Sequence, residues 1–351
     1  MRYKVFGRTG LRVSEAALGT GTFGKAWGWG CTPEEAAALF DMFVAAGGNF
    51  FDCADGYQNG EAETILGNLI SRDRDNFIVS TKYTTAVGMR SIAKTGNSRK
   101  AMMASLEGSL RRLKSDYVDI FLVHMPDLVT PTDEIVRGLE DLVRQGKVNY
   151  IGMSDFPAWR VSRAVTSAEL RGTNPLAAIQ IELNLAERTA EREMIPMAQA
   201  YGLAAMIWSP LGGGTLTGKY RDKAVKGRLT EGGGPIRRIP EAREAEIVGA
   251  LDRVASALGA TPAQVAIAWV RNSEPQGTCF VPVLGARTPA QLADNLEALT
   301  IELSQEHMAL LDEASAIELG FPHDLMAQPA MKDLHTGGHW DNLVVPQIPR
   351  P

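Results

Sequence analysis

Asn49-Phe50-Phe51-Asp52, Phe77-Ile78-Val79-Ser80-Thr81-Lys82 and Val118-Asp119-Ile120-Phe121-Leu122-Val123-His124 are short apolar runs, each ending on a polar residue and each followed by a segment of helical pattern. Runs of this length and composition read as buried strands. Working outward, the same rhythm recurs at Glu15 to Gly19, Tyr150 to Ser154, Ala177 to Glu182, Leu203 to Ser209 and Cys279 to Gly285, which makes eight strand–helix units. Alternation of this kind implies a parallel sheet. Eight units, with no GxGxxG after the first strand, favour an α/β fold closed as a (β/α)8 TIM barrel over an open doubly wound sheet. In such a barrel the pocket lies at the C-terminal strand ends, where Asp52, Lys82 and His124 fall.

The remaining segments fit around that barrel. Residues 1–14, turning at Gly7-Arg8-Thr9-Gly10, read as a β-hairpin that plugs one barrel end. Thr32-Pro33-Glu34-Glu35 and Thr261-Pro262-Ala263-Gln264 carry an N-cap and a first-turn proline, the marks of helix starts. Gly47 and Gly146 follow helical patterns and precede strands, where a left-handed cap suits glycine. Two stretches break the rhythm: a glycine-rich insert at about 209–240, expected to form a flap, and a tail at about 320–351, expected to be an extended, packed loop. The 351 residues are read as one domain.

A net charge of −5 gives no general attraction to nucleic acid or to an anionic membrane. The scattered Cys31, Cys53 and Cys279 provide neither a disulfide framework nor zinc spacing, and His307, His323, His335 and His339 show no metal-ligand spacing with nearby carboxylates, so no metal is expected. No signal peptide or membrane span is evident at the start or along the chain, and the expected location is the cytoplasm.

Asp52, Tyr57, Lys82 and His124 together suit carbonyl reduction. Hydride addition builds negative charge on oxygen, so the site needs a proton donor and groups that stabilise that charge. Tyr57 is the expected donor. A neighbouring Lys82 ammonium lowers a phenol pKa, Asp52 keeps that lysine charged and placed, and His124 orients the substrate oxygen. In a strand Asp52 and Cys53 face opposite sides, so Cys53 is expected outside the pocket, in the core.

These residues, with Leu18-Gly19-Thr20-Gly21-Thr22-Phe23, Phe51-Asp52-Cys53-Ala54-Asp55-Gly56-Tyr57, Ser80-Thr81-Lys82, Phe121-Leu122-Val123-His124, Ile151-Gly152-Met153-Ser154-Asp155-Phe156, Trp208-Ser209-Pro210-Leu211 and Gly285-Ala286-Arg287, make the chain resemble an aldo-keto reductase, in the branch of aryl-alcohol dehydrogenases and potassium-channel β-subunits. The likeness runs from the hairpin to about Leu299. It implies Tyr57 as general acid, Lys82 and Asp52 as its tuning pair, His124 as the orienting residue, and NADPH/NADP+ as cofactor. It places Trp208 against the nicotinamide face, and Ser154, Asp155 and Gln180 at its carboxamide. Asp155 stands where the family commonly has asparagine, so one amide donor is missing. Leu183 stands where tyrosine is common. Gly21, Thr22, Ser209, Pro210 and Leu211 border the same site; Gly213, Gly218 and Lys219 correspond to the flap over the pyrophosphate. Gly285, Arg287, Gln291 and Asn295 resemble the pocket for the adenosine 2′-phosphate and adenine. Arginine binds phosphate through a bidentate fork, which favours NADPH over NADH.

The expected substrate is a small-molecule carbonyl compound held by Phe23, Trp27, Trp29, Tyr83 and Met125 beside Tyr57 and His124. Aldehyde, ketone and keto-sugar substrates remain open at this point. So do an NADP-linked sugar or polyol dehydrogenase and a nucleotide-sensing module like a channel β-subunit. The short segment ahead of the hairpin argues against a channel-inactivating partner.

Overall fold

Eight parallel strands, β3 Ala17–Gly19, β4 Phe50–Asp52, β5 Ile78–Tyr83, β6 Val118–Val123, β7 Val148–Ser154, β8 Ala178–Glu182, β9 Ala204–Trp208 and β10 Cys279–Gly285, pair in chain order, and β10 closes on β3. The result is a (β/α)8 barrel. The computed structural model describes residues 1–85, 87 and 88, 91–221 and 239–344. Every expected strand is present, with ends shifted by no more than two residues. The crossovers are made by α1 Pro33–Ala45, α2 Glu61–Ile70, α3 Arg99–Leu113, α4 Thr132–Arg144, α5 Ala158–Arg171, α6 Met194–Tyr201, and the pair α7 Glu241–Leu258 and α8 Pro262–Asn272. After β10 come α9 Pro289–Glu297 and α10 Gln305–Ser315.

Local sequence explains where these helices start. Thr32 and Thr261 each accept a hydrogen bond from the backbone three residues on, while Glu35 and Gln264 reach back to the cap, so both form capping boxes. At the other end of α1, Gly47 takes φ 88°, which lets the chain turn directly into β4.

The strand period of two sorts each strand into an inner and an outer row. Inward residues Ala17, Phe50, Ile120, Leu122, Ala178, Ala204, Met206, Val281 and Val283 form one apolar cluster. Outward residues Phe51, Val79, Phe121, Val123, Ile151, Ile179, Ile207 and Phe280 pack in a second, larger cluster with helix residues such as Leu66, Leu106, Leu139 and Val161. The hairpin β1 Tyr3–Val5 with β2 Arg12–Ser14 contributes Phe6 and Val13 to the inner cluster; Phe6 meets Phe50 edge-on at 5.8 Å. It therefore plugs the end where the strands begin, and leaves the polar residues at the opposite end.

Cys53 lies in the outer cluster, and all three cysteines are free and buried. Most of the inserted flap, residues 222–238, lies outside the described residues. The tail departs from the expected packed loop. It carries α11 His323–Met326 and α12 Pro329–Thr336, both largely exposed, because its apolar residues are too sparse to form a buried face. No helix among the described residues is long and apolar enough to cross a membrane.

Candidate active site

The inward rows end, at the open side of the barrel, in Asp52, Lys82, Ser154, Gln180 and Trp208, with His124 one residue beyond β6. The Lys82 ammonium is fully buried and lies 2.7 Å from an Asp52 carboxylate oxygen. It also donates to the Cys53 carbonyl at 2.6 Å and reaches the Tyr57 hydroxyl at 3.4 Å. The second Asp52 oxygen accepts from Ser80 Oγ at 2.7 Å and from Gln180 Nε2 at 3.0 Å. The carboxylate is thus held by three side chains from two strands, β5 and β8, and the lysine points at the phenol. The Tyr57 and His124 rings meet edge-on with centroids 5.8 Å apart, so the four residues expected to act together do share one site.

The protonation balance differs in one respect from the expectation. Burial pushes the Tyr57 phenol above its ordinary value; Lys82 pulls it down as predicted, but the loss of hydration outweighs it and the Asp52 charge adds to the rise. Burial alone would favour neutral Lys82, yet the Asp52 carboxylate 2.7 Å away reverses this and leaves the ammonium firmly charged. Burial, assisted by the Lys82 charge, lowers His124 to about 3. His124 is therefore a neutral imidazole, and its buried Nδ1 has no hydrogen-bond partner among the described residues.

Tyr57 opens a short turn, Tyr57–Gly60, in which Gln58 and Asn59 are left-handed with φ 49° and 55°. Buried Gln58 accepts from the Trp27 amide at 2.9 Å and donates to the Gly21 and Trp29 carbonyls, each at 3.1 Å. It ties the first loop over the catalytic tyrosine. Trp27 and Trp29 lie 5.7 Å apart, and Trp27 meets the Tyr57 ring edge-on at 6.2 Å. Beneath Tyr57, Thr81 and Arg112 bond the buried Glu63, and Ser105 donates to Asp55 at 2.5 Å. Burial raises that Asp55 carboxyl to about 7.

Two expected substrate contacts are corrected. Tyr83 is one residue out of phase with Lys82, so it faces outward, stacks on Phe121 at 5.3 Å and donates its hydroxyl to the Asn97 carbonyl. Phe23 is fully buried with Leu18 and Cys31 in the outer cluster, because the loop turns back at Thr20. Trp27 and Met125 remain partly exposed, at 40% and 39%.

Around the mouth, Trp208 donates its indole N–H to Asp155 at 3.0 Å, and Ser154 donates to the other Asp155 oxygen at 3.4 Å. Ser209 is left-handed at φ 55°, accepts from the Gly213 amide, and is followed by buried Pro210 and half-buried Leu211. Gly213 and Gly218 are left-handed, and the Lys219 ammonium sits 4.9 Å over Tyr220. Leu183 is a core residue. Thr22 ties the first loop to the segment after β10 by donating to the Ala286 carbonyl. There, a Cβ on Gly285 would meet only open space. Thr288 caps α9; Gln291 accepts from the Arg287 amide, and Asn295 donates to the Gly285 carbonyl. Gln291 and Asn295 thus build the loop that carries Arg287.

Sequence reasoning missed Ser80, Gln58, Glu63 and Arg112. Ser80 was accessible, since it lies two residues before Lys82 on the same face; Gln58 gave no signal, because its left-handed conformation is imposed by the loop it holds. Among the described residues no group of three or more His, Cys, Asp or Glu side chains is arranged to hold a metal ion.

A closed parallel barrel with a buried lysine–aspartate pair aimed at a tyrosine is the scaffold of an oxidoreductase site. A model of the Aldo/keto reductase family matches residues 16–316. Similar proteins include an aryl-alcohol dehydrogenase of Pestalotiopsis microspora, 35% identical over 97% of this chain and 91% of its own. An NADP(+) aryl-alcohol dehydrogenase of Phanerodontia chrysosporium is 35% identical over 97% and 93%, and a norsolorinic acid reductase of Aspergillus flavus is 32% identical over 93% and 84%. The chain belongs to the aldo/keto reductase family and is an oxidoreductase.

Proposed function

We propose that this enzyme interconverts an aryl aldehyde or ketone and its alcohol with NADPH/NADP+ as cofactor, in the cytoplasm, with Tyr57 as the proton donor in reduction. The carrying observation is the buried Lys82 ammonium, held at 2.7 Å by Asp52 and directed at the Tyr57 hydroxyl 3.4 Å away. Tyr57 gives its proton to the carbonyl oxygen as negative charge develops there, and Lys82 stabilises the phenolate left behind. Neutral His124 places a ring nitrogen beside the same oxygen and adds no competing charge. In alcohol oxidation the same groups work in reverse.

The donor set at the barrel mouth fits a phosphorylated dinucleotide. Trp208 offers a planar face, Ser154, Asp155 and Gln180 offer polar groups around it, and Lys219 and Arg287 offer cations for phosphate. The buried His124 Nδ1, unpartnered among the described residues, is consistent with a site built to receive a ligand. Bound NADPH supplies the hydride. An aryl substrate is favoured over a sugar by Trp27 and Trp29 beside Tyr57, and by the aryl-alcohol dehydrogenases among the relatives.

The test is NADPH oxidation across aromatic aldehydes, aliphatic ketones, aldoses and keto-sugars, with Tyr57→Phe alongside. Turnover of aryl carbonyls is expected, reduced about 10²-fold or more in Tyr57→Phe with NADPH binding retained. Equal turnover by the variant would reject Tyr57 as the acid. Nucleotide binding with no turnover of any compound would move the reading to a sensing module.

A further inference from the structure

We propose that Asp155 is a charged positioning residue: its carboxylate latches the Trp208 indole across the barrel mouth and makes the site prefer the oxidised, cationic nicotinamide to the reduced, neutral one. The inference rests on the cofactor site proposed above and concerns which redox form that site holds more tightly.

The geometry is specific. Asp155 follows β7 in a left-handed conformation at φ 55°, its amide donating to the Gln180 carbonyl at 3.0 Å, so the side chain is turned toward the end of β9. There Oδ1 accepts from Trp208 Nε1 at 3.0 Å, while among the described residues Oδ2 accepts only from Ser154 at 3.4 Å. Among the described residues Asp155 has no ion pair. From β9 it is faced by a neutral indole, from β8 by a backbone carbonyl and from β7 by a hydroxyl; the charged group that acts on it is the Lys82 ammonium of β5, which is already paired with Asp52.

Asp155 is exposed at the mouth, and a carboxylate whose hydrogen-bond partners are neutral keeps a field that solvent there screens only in part. NADP+ carries a positive charge on its nicotinamide ring and NADPH does not, so a carboxylate latched to the ring-stacking tryptophan attracts one form and not the other. Although the Asp155 side chain is exposed, the protein packed around the mouth takes hydration from its carboxyl and raises it to about 6, opposed by the Trp208 hydrogen bond. The sign follows. Below that pH the carboxyl is neutral and the discrimination is absent; above it the charge is present and NADP+ is favoured.

Asp155→Asn is the informative variant. Asparagine is isosteric, tolerates left-handed backbone and can still accept from the indole through its amide oxygen, so fold and latch are retained while the charge and its titration are lost. The dissociation constants of NADP+ and NADPH are measured by calorimetry from pH 5 to pH 8 on the wild-type protein and on the variant. Taking their ratio cancels the titration of the 2′-phosphate, which both nucleotides share. The expected result is a ratio that shifts toward NADP+ by roughly tenfold as pH rises in the wild type, and stays flat in Asp155→Asn. The same pH dependence in both proteins, or none in the wild type, would overturn the charge role while leaving the cofactor assignment intact. Failure of both nucleotides to bind either protein would overturn both. Asp155→Ala, measured in parallel, is expected to weaken both nucleotides by removing the latch; unchanged binding would overturn the positioning role.

Discussion

Lys82 combines two demands that ordinarily conflict. Its ammonium is fully withdrawn from water, and it must remain charged to act on Tyr57. Asp52 resolves this, but only because Ser80 and Gln180 satisfy the carboxylate's other oxygen. Removing one member of a buried ion pair leaves the other uncompensated, at about 3–5 kcal/mol. Lys82→Met is therefore expected to lose that much stability in urea unfolding and to lose reduction by about 10²-fold or more. Lys82→Met with Asp52→Asn is expected to recover most of the stability and none of the activity. If the double variant regained turnover, the pair would be structural only.

At the scale of elements, polar side chains often serve the backbone first and the ligand second. Gln58 holds the first loop over Tyr57, and Gln291 and Asn295 shape the turn from β10 into α9. That turn places Arg287 just ahead of the α9 N-terminus, where the helix dipole also favours an anion. Arg287→Ala is expected to raise the dissociation constant for NADPH by about tenfold or more and to change that for NADH little, as read by fluorescence titration. Equal weakening of both would remove the 2′-phosphate assignment. Much of this level was legible beforehand: the N-caps and first-turn prolines at Thr32 and Thr261 and the insert ahead of α7 follow from local sequence. The tail was not, because its short exposed helices have no apolar period to reveal them.

For the molecule as a whole, closure of β10 on β3 gives every barrel strand two neighbours, and the hairpin fills the end away from the site. Inner and outer clusters share the same strands, so neither can come apart alone. We expect calorimetry to record one unfolding transition, moved upward by NADPH; at about 100 times its dissociation constant the gain is about 2.7 kcal/mol. Two separated transitions would reject the single-domain reading.

The sequence by itself determined the number and order of strands, the helix starts, and which polar residues stand at strand exits. Each of these is written in neighbouring residues, through strand and helix periods or hydrogen bonds spanning three positions. It also contained the facing of Cys53 and, because Tyr83 follows Lys82 directly in the strand, that of Tyr83. Only the tertiary structure decided that Ser80 and Gln180 hold Asp52, that Gln58 clamps the first loop, and that Trp208 meets Asp155. It alone decided that burial outweighs Lys82 at the Tyr57 phenol. Those outcomes depend on contacts between distant segments and on how much water the closed barrel excludes, and neither quantity is local to the chain.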